Sequence, residues 1–126
     1  EIGVPLPLVA LDLTRQLRNY RARVAANRGL GTRAGDAVVT LLRPVPPARW
    51  AMTLHDPCVV AWLVAPDLFR GRRVNVAVET QGALTLGMSV IDWRGVSGRP
   101  ANALVVETAD AAGFYALLTE RLSRRP

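Results

Sequence analysis

One adjacent pair of side chains has types and placement that suit chemistry. His55 is the only histidine of the chain, Asp56 follows it directly, and Pro57 comes next. Imidazole gives and takes protons near neutral pH, while a carboxylate either accepts from free backbone donors at a helix start or ligates a cation. On spacing alone, capping is the stronger reading for Asp56, because proline at the first helical position loses no hydrogen bond. The two roles are compatible. Taken by itself, a lone histidine ahead of a helix reads as a polar surface or capping residue.

Such residues need elements to hold them. Behind the pair runs the apolar segment Cys58-Val59-Val60-Ala61-Trp62-Leu63-Val64, and ahead of it lies Arg43-Pro44-Val45-Pro46-Pro47-Ala48-Arg49-Trp50, which proline bars from being helix interior. A loop therefore delivers His55 and Asp56 to the mouth of a buried helix that ends near Val64, before Ala65-Pro66. α/β proteins often keep their chemistry at such junctions.

The rest of the chain supplies the frame. Leu8 to Leu13 is a continuous apolar run, expected as a strand buried on both faces with Asp12 and Thr14 at its carboxyl end. Thr14 then reads as the N-cap of a helix over 15–28, with Leu17, Tyr20, Val24 and Ala25 at helical spacing and Gly29 and Gly31 beyond its end. A second helix is expected from Thr32 to Leu42, with Ala34, Ala37, Val38, Leu41 and Leu42 on one face. Alternation predicts a half-buried strand over Arg72 to Glu79 and another over Met88 to Trp93, an antiparallel pair turning near Gly82. Ser97-Gly98-Arg99-Pro100 reads as loop, Ala103 to Glu107 as a further strand. Thr108 or Asp110 caps a last helix with Ala111, Phe114, Tyr115, Leu118 and Leu122 on its apolar face.

Composition bounds the class. At 126 residues, 50% hydrophobic and 21% charged, the chain is the size of one domain and has the material for a core. The single cysteine, Cys58, sits in an apolar run as a small buried hydrophobe, which fits a reducing cytoplasm, and no apolar run is long enough to cross a bilayer. The net charge of +6 raises the possibility of an acidic partner. Yet all sixteen basic residues are arginine and most are scattered, which reads as coding bias and a solvated face rather than a specific nucleic-acid surface. A noncatalytic remnant, or an arginine-rich module binding an acidic partner, is the alternative function class.

Several stretches, taken in order, resemble the inosine-uridine-preferring nucleoside hydrolases, specifically their C-terminal part. They are Gly3-Val4-Pro5-Leu6 with Val9-Ala10-Leu11-Asp12-Leu13-Thr14, then Leu54-His55-Asp56-Pro57, then Arg73-Val74 through Val78-Glu79-Thr80 and Gly82. After these come Asp92-Trp93-Arg94-Gly95, Gly98-Arg99-Pro100 and Asn102, and the closing helix around Phe114 and Leu118. The resemblance implies an α/β fold: an incomplete Rossmann-like open sheet flanked by helices, with an antiparallel strand pair near the C-terminus. Residues 1–126 would form the C-terminal portion of such a domain, its N-terminal half absent, leaving a sheet edge and apolar helix faces uncovered.

The same resemblance implies hydrolysis of the N-glycosidic bond of a ribonucleoside substrate around a bound calcium ion. Asp56 would be a calcium ligand and His55 the group that protonates the leaving base. Family members preferring purines can carry tryptophan where His55 stands, so histidine here implies the inosine-uridine type. The family's aspartate cluster, Asp-x-Asp followed by Asp-Asp, has no counterpart in this sequence, so this chain alone is expected to be inactive. The full-length protein is expected to be a cytoplasmic homo-oligomer. Arg49 and Trp50 could flank the base or simply pack, and Arg15 stands where the family often has histidine.

Overall fold

The computed structural model describes residues 6–19, 21–42 and 52–124. Its elements are β1 (Leu6–Val9), α1 (Leu11–Thr14), β2 (Arg18–Asn19), α2 (Arg21–Arg28), α3 (Arg33–Leu42), β3 (Met52–Thr53), α4 (His55–Val64), β4 (Phe69–Val78), β5 (Ser89–Asp92), β6 (Ala103–Ala109) and α5 (Ala111–Ser123). Among the described residues the main sheet has four strands in the order β1-β6-β4-β5. It is mixed: β1 runs parallel to β6, with Leu6 opposite Ala103 and Val9 opposite Val106, while β4 runs antiparallel to both β6 and β5. The chain is thus α/β, an open sheet with helices packed against it.

β4 is the longest strand, and its side chains explain how it sits between two partners. Val74 is buried while Arg70, Arg72 and Arg73 face solvent. The β4–β6 register shifts between Arg70 and Gly71, and a Cβ on Gly71 would run into the Val105 carbonyl, so glycine is what lets the strands approach at this bulge. The shift leaves Glu107 without a register partner. Its carboxylate instead accepts two hydrogen bonds from Arg72, at 2.8 and 2.9 Å, which hold that carboxyl below its ordinary range. Arg72 also stacks over the Trp93 ring, 4.8 Å from its centroid. Just before the start of β6, the Asn102 side chain accepts from the Val76 amide at 2.8 Å and donates to its carbonyl at 2.9 Å, standing in for a strand neighbour.

The core lies between the sheet and helices α1, α4 and α5. Leu13, Leu17, Cys58, Ala61, Phe69, Val106, Phe114 and Tyr115 form it. Asp110 caps α5 by accepting from the Gly113 amide at 3.1 Å, and four positions later Phe114 drops into the core, edge-on to Tyr115. The Tyr115 hydroxyl donates to the Leu17 carbonyl at 3.1 Å, tying α5 to the turn after α1. Thr32 caps α3 by accepting from Gly35 at 3.1 Å, and it donates to the Leu122 carbonyl at 3.0 Å, so α3 is fastened to α5 as well.

Four expectations change. The run Leu8 to Leu13 is not one strand, because β1 stops at Val9 and a short helix begins at Leu11; an apolar run of that length suits either state. β1 also lies at the edge of the described sheet, half-buried rather than covered on both faces. The helix expected over 15–28 begins only at Arg21, because a short strand, β2, intervenes. In α3, Ala37 and Leu41, both expected on the apolar face, are exposed. Arg49, Trp50 and the rest of the proline-rich loop, residues 43–50, lie outside the described residues.

Helix α4 is apolar nearly all round, yet Val60, Leu63 and Val64 are 60%, 66% and 56% exposed. A helix of that composition is normally covered on every side. No helix among the described residues is long and apolar enough to cross a membrane.

Candidate functional site

A two-residue ladder sets the position of His55. In it, Arg18 of β2 pairs with Thr53 of β3, and Asn19 with Met52. Since β2 follows α1 by a short turn and β3 leads through Leu54 straight into α4, the ladder brings the end of α1 against the start of α4. The Oγ1 of Thr14 and the Nδ1 of His55 consequently lie 2.7 Å apart. Thr14 is 2% exposed, and its hydroxyl donates to the Leu11 carbonyl at 3.2 Å. Thr14 is therefore no N-cap: it is the last residue of α1, and its side chain turns inward to the histidine. His55 itself is exposed, so the far side of its ring is open to a ligand.

Asp56 is also not the cap that its sequence suggested. Helix α4 starts two residues earlier than expected, at His55; its N-cap is Leu54, and no side chain bonds there. Asp56 and Pro57 thus occupy the second and third helical positions, where a missing amide is still costless and a negative charge still suits the helix N-terminus. The Asp56 carboxylate is exposed. It lines a groove of about 390 Å³ between α4 and α5, with Val60, Val64, Phe114, Leu118 and Arg121 also on its walls. Asp12, expected at the carboxyl end of a strand, is an exposed residue of α1.

As a cation ligand Asp56 has the right donor type, since calcium takes oxygen donors. The number does not suffice. No group of three or more metal-binding side chains occurs among the described residues, so these residues alone do not compose a calcium site.

Directly beneath the pair, Cys58 is fully buried. Burial pushes its thiol up to about 11, and its Sγ donates to the Leu54 carbonyl at 2.6 Å, helping to anchor the start of α4. A neutral, enclosed thiol is a poor nucleophile. At pH 8, iodoacetamide is expected to leave Cys58 unmodified in the folded protein and to alkylate it fully in urea, as read by mass spectrometry; rapid native labelling would contradict this packing.

Sequence reasoning singled out His55 and Asp56 but not the partnership of Thr14 with His55. The signal available was the placement of Thr14 in the Asp-x-Thr position of the resemblance, which gives no hint that its hydroxyl reaches a residue 41 positions away.

Over residues 1–116 the chain matches the family described as inosine-uridine preferring nucleoside hydrolase. It is 43% identical over 130 residues to an uncharacterized protein of Schizosaccharomyces pombe, covering 98% of this chain and 42% of that protein. It is 36% identical over 127 residues to the pyrimidine-specific ribonucleoside hydrolase RihA of Shewanella woodyi, covering 95% of this chain and 41% of the relative. Among solved structures, the purine-preferring ribonucleoside hydrolase from Gardnerella vaginalis superposes with a TM-score of 0.76 at 25% identity, over 97% of this chain and 40% of that one. The chain spans about two fifths of the length of these relatives. With the match running through every strand and into α5, this chain belongs to the inosine-uridine preferring nucleoside hydrolase family.

Proposed function

We propose that these residues form the His-Asp-bearing part of an enzyme that hydrolyses the N-glycosidic bond of ribonucleosides to ribose and free base. The observation that carries the reading is the pairing of an exposed His55 with buried Thr14 at the start of α4, next to the exposed Asp56, inside the segment that matches the family. In the proposed reaction the cationic form of His55 protonates the departing base from Nε2–H, on the ring nitrogen that Thr14 leaves free. The electron pair of the carbon–nitrogen bond departs with the base, the electron-poor ribose carbon takes the oxygen of water, and a water proton is released.

Asp56 contributes one carboxylate ligand to calcium in this reading, the remaining protein ligands coming from polypeptide outside this sequence. A calcium ion so held supplies a positioned, acidified water and a grip on the sugar hydroxyls. The described sheet is then one part of a larger Rossmann-like open sheet, which accounts for the exposed apolar face of α4. The arginine-rich alternative gains little, because Arg72 is engaged by Glu107 and Trp93.

The test is nucleosidase activity on uridine and inosine in the protein as its own gene encodes it. Activity is expected to disappear on chelation and return with added calcium, and Asp56→Asn is expected to need far more calcium for the same rate. Activity that persists in chelator and is indifferent to Asp56→Asn would overturn the metal assignment; no activity on any ribonucleoside would overturn the enzyme reading.

A further inference from the structure

Thr14 has one hydroxyl proton, and its destination decides how the His55 ring is presented. Two acceptors lie within reach, the Leu11 carbonyl at 3.2 Å and Nδ1 of His55 at 2.7 Å. Were the proton aimed at Nδ1, a neutral ring would carry its own proton on Nε2, and the hydroxyl and carbonyl oxygens would face each other with no hydrogen between them. Aimed at the carbonyl, it leaves the hydroxyl oxygen free to accept from Nδ1–H, and both contacts become hydrogen bonds. The Leu11 carbonyl already accepts from the Arg15 amide at 2.9 Å, but its second lone pair serves the threonine. Because Thr14 is 2% exposed, water cannot easily compensate a lost contact on this side, so the arrangement with both bonds is favoured. It also holds unchanged whether the ring is neutral or cationic, since a cationic imidazole donates from both nitrogens.

We propose that Thr14 is a positioning residue that fixes the Nδ1–H tautomer of His55 through the chain Nδ1–H to Oγ1–H to the Leu11 carbonyl, presenting Nε2 to the substrate. The proton given to the base is the one the cationic ring carries on Nε2, and its departure leaves the neutral Nδ1–H ring that Thr14 already holds. Its kinetic consequence rests on the reading of His55 as the acid; the tautomer itself does not. Nothing else within the short helix α1 is needed for it. The β2–β3 ladder holds the two residues in register, so the hydroxyl meets the ring without either side chain having to search.

The experiment uses the protein as its own gene encodes it, labelled with nitrogen-15 histidine, the His55 signals being assigned by their loss in His55→Asn. At pH 9, where free imidazole is neutral, Nδ1 is expected to show a protonated-type shift and Nε2 an unprotonated-type shift. Thr14→Val is expected to move both toward the opposite tautomer, which unconstrained histidine side chains favour, and Thr14→Ser to keep the original pattern. In kinetics, Thr14→Val is expected to lower kcat on the order of tenfold with little change in KM, and Thr14→Ser to restore most of it. An Nε2–H tautomer in the unmodified protein overturns the inference, and this measurement needs no variant at Thr14 to fold. Unmoved shifts in a folded Thr14→Val protein overturn it too. If His55→Asn keeps full kcat while the Nδ1–H tautomer is observed, the acid reading fails and the positioning inference stands.

Discussion

His55→Asn, made in the protein as its own gene encodes it, is expected to reduce kcat by about 10²- to 10⁴-fold, the usual contribution of a positioned general acid. A nucleobase is a poor leaving group while its nitrogen is unprotonated, so removing the donor raises the barrier of bond cleavage itself. KM is expected to change little, because nothing assigns the histidine a share in holding the sugar. Asparagine keeps a polar group of similar reach, and its amide can still meet the Thr14 hydroxyl now facing Nδ1 at 2.7 Å, so the start of α4 is expected to stay in place. Steady-state kinetics with uridine and inosine, beside a circular dichroism spectrum matching the unmodified protein, check this. A kcat equal to that of the unmodified protein would remove His55 from the chemistry.

The second large effect is on stability. Phe114 is 1% exposed and is the largest fully buried side chain among the described residues. Its ring stands edge-on to Tyr115, with centroids 5.0 Å apart and planes at 84°. Phe114→Ala is expected to cost about 3–5 kcal/mol, combining lost burial with the cavity left behind. That is a large part of the roughly 5–15 kcal/mol available to an ordinary domain. Phe114 also forms a wall of the groove that Asp56 lines, so the same change widens the space beside the carboxylate. The midpoint of urea unfolding is expected to fall steeply, and Phe114→Leu to recover most of the loss. A midpoint unmoved by Phe114→Ala would mean that the core is not where α5 meets α4.

The parts that were legible from sequence are those whose physics is local. Val74, Val76 and Val78 alternate over one strand, now part of β4, and the Met88 to Trp93 segment contains β5, paired antiparallel with it. Asp110 with Phe114, Tyr115 and Leu118 gives α5 as expected, cap included. The end of α4 at Val64 follows from Ala65-Pro66. The failures have a common cause, which is that tertiary contacts outweighed local preference. The run Leu8 to Leu13 carries no periodicity able to separate strand from helix, and it is divided between β1 and α1. Two-residue strands such as β2 and β3 carry no pattern, because each exists only through the other. Asp56 looked like a cap because Asp-Pro is a strong start signal, but the β2–β3 ladder delivers the chain into α4 two residues early. As for the candidate site, adjacency made His55 and Asp56 visible, whereas Thr14 is defined by a contact that no sequence window spans.

The parallel pairing of β1 with β6, Leu6 against Ala103, has a bearing on how the protein is made. β1 is translated before β6, and the strand that must receive it leaves the ribosome only after the intervening helices α1, α2, α3 and α4 have been synthesised. Until then the backbone donors and acceptors of β1 that face β6 have no native partner, and closing so long a loop is slow. Nascent chains stalled before residue 103 should therefore be open to chaperones and proteases along this segment, and should become resistant once β6 has emerged.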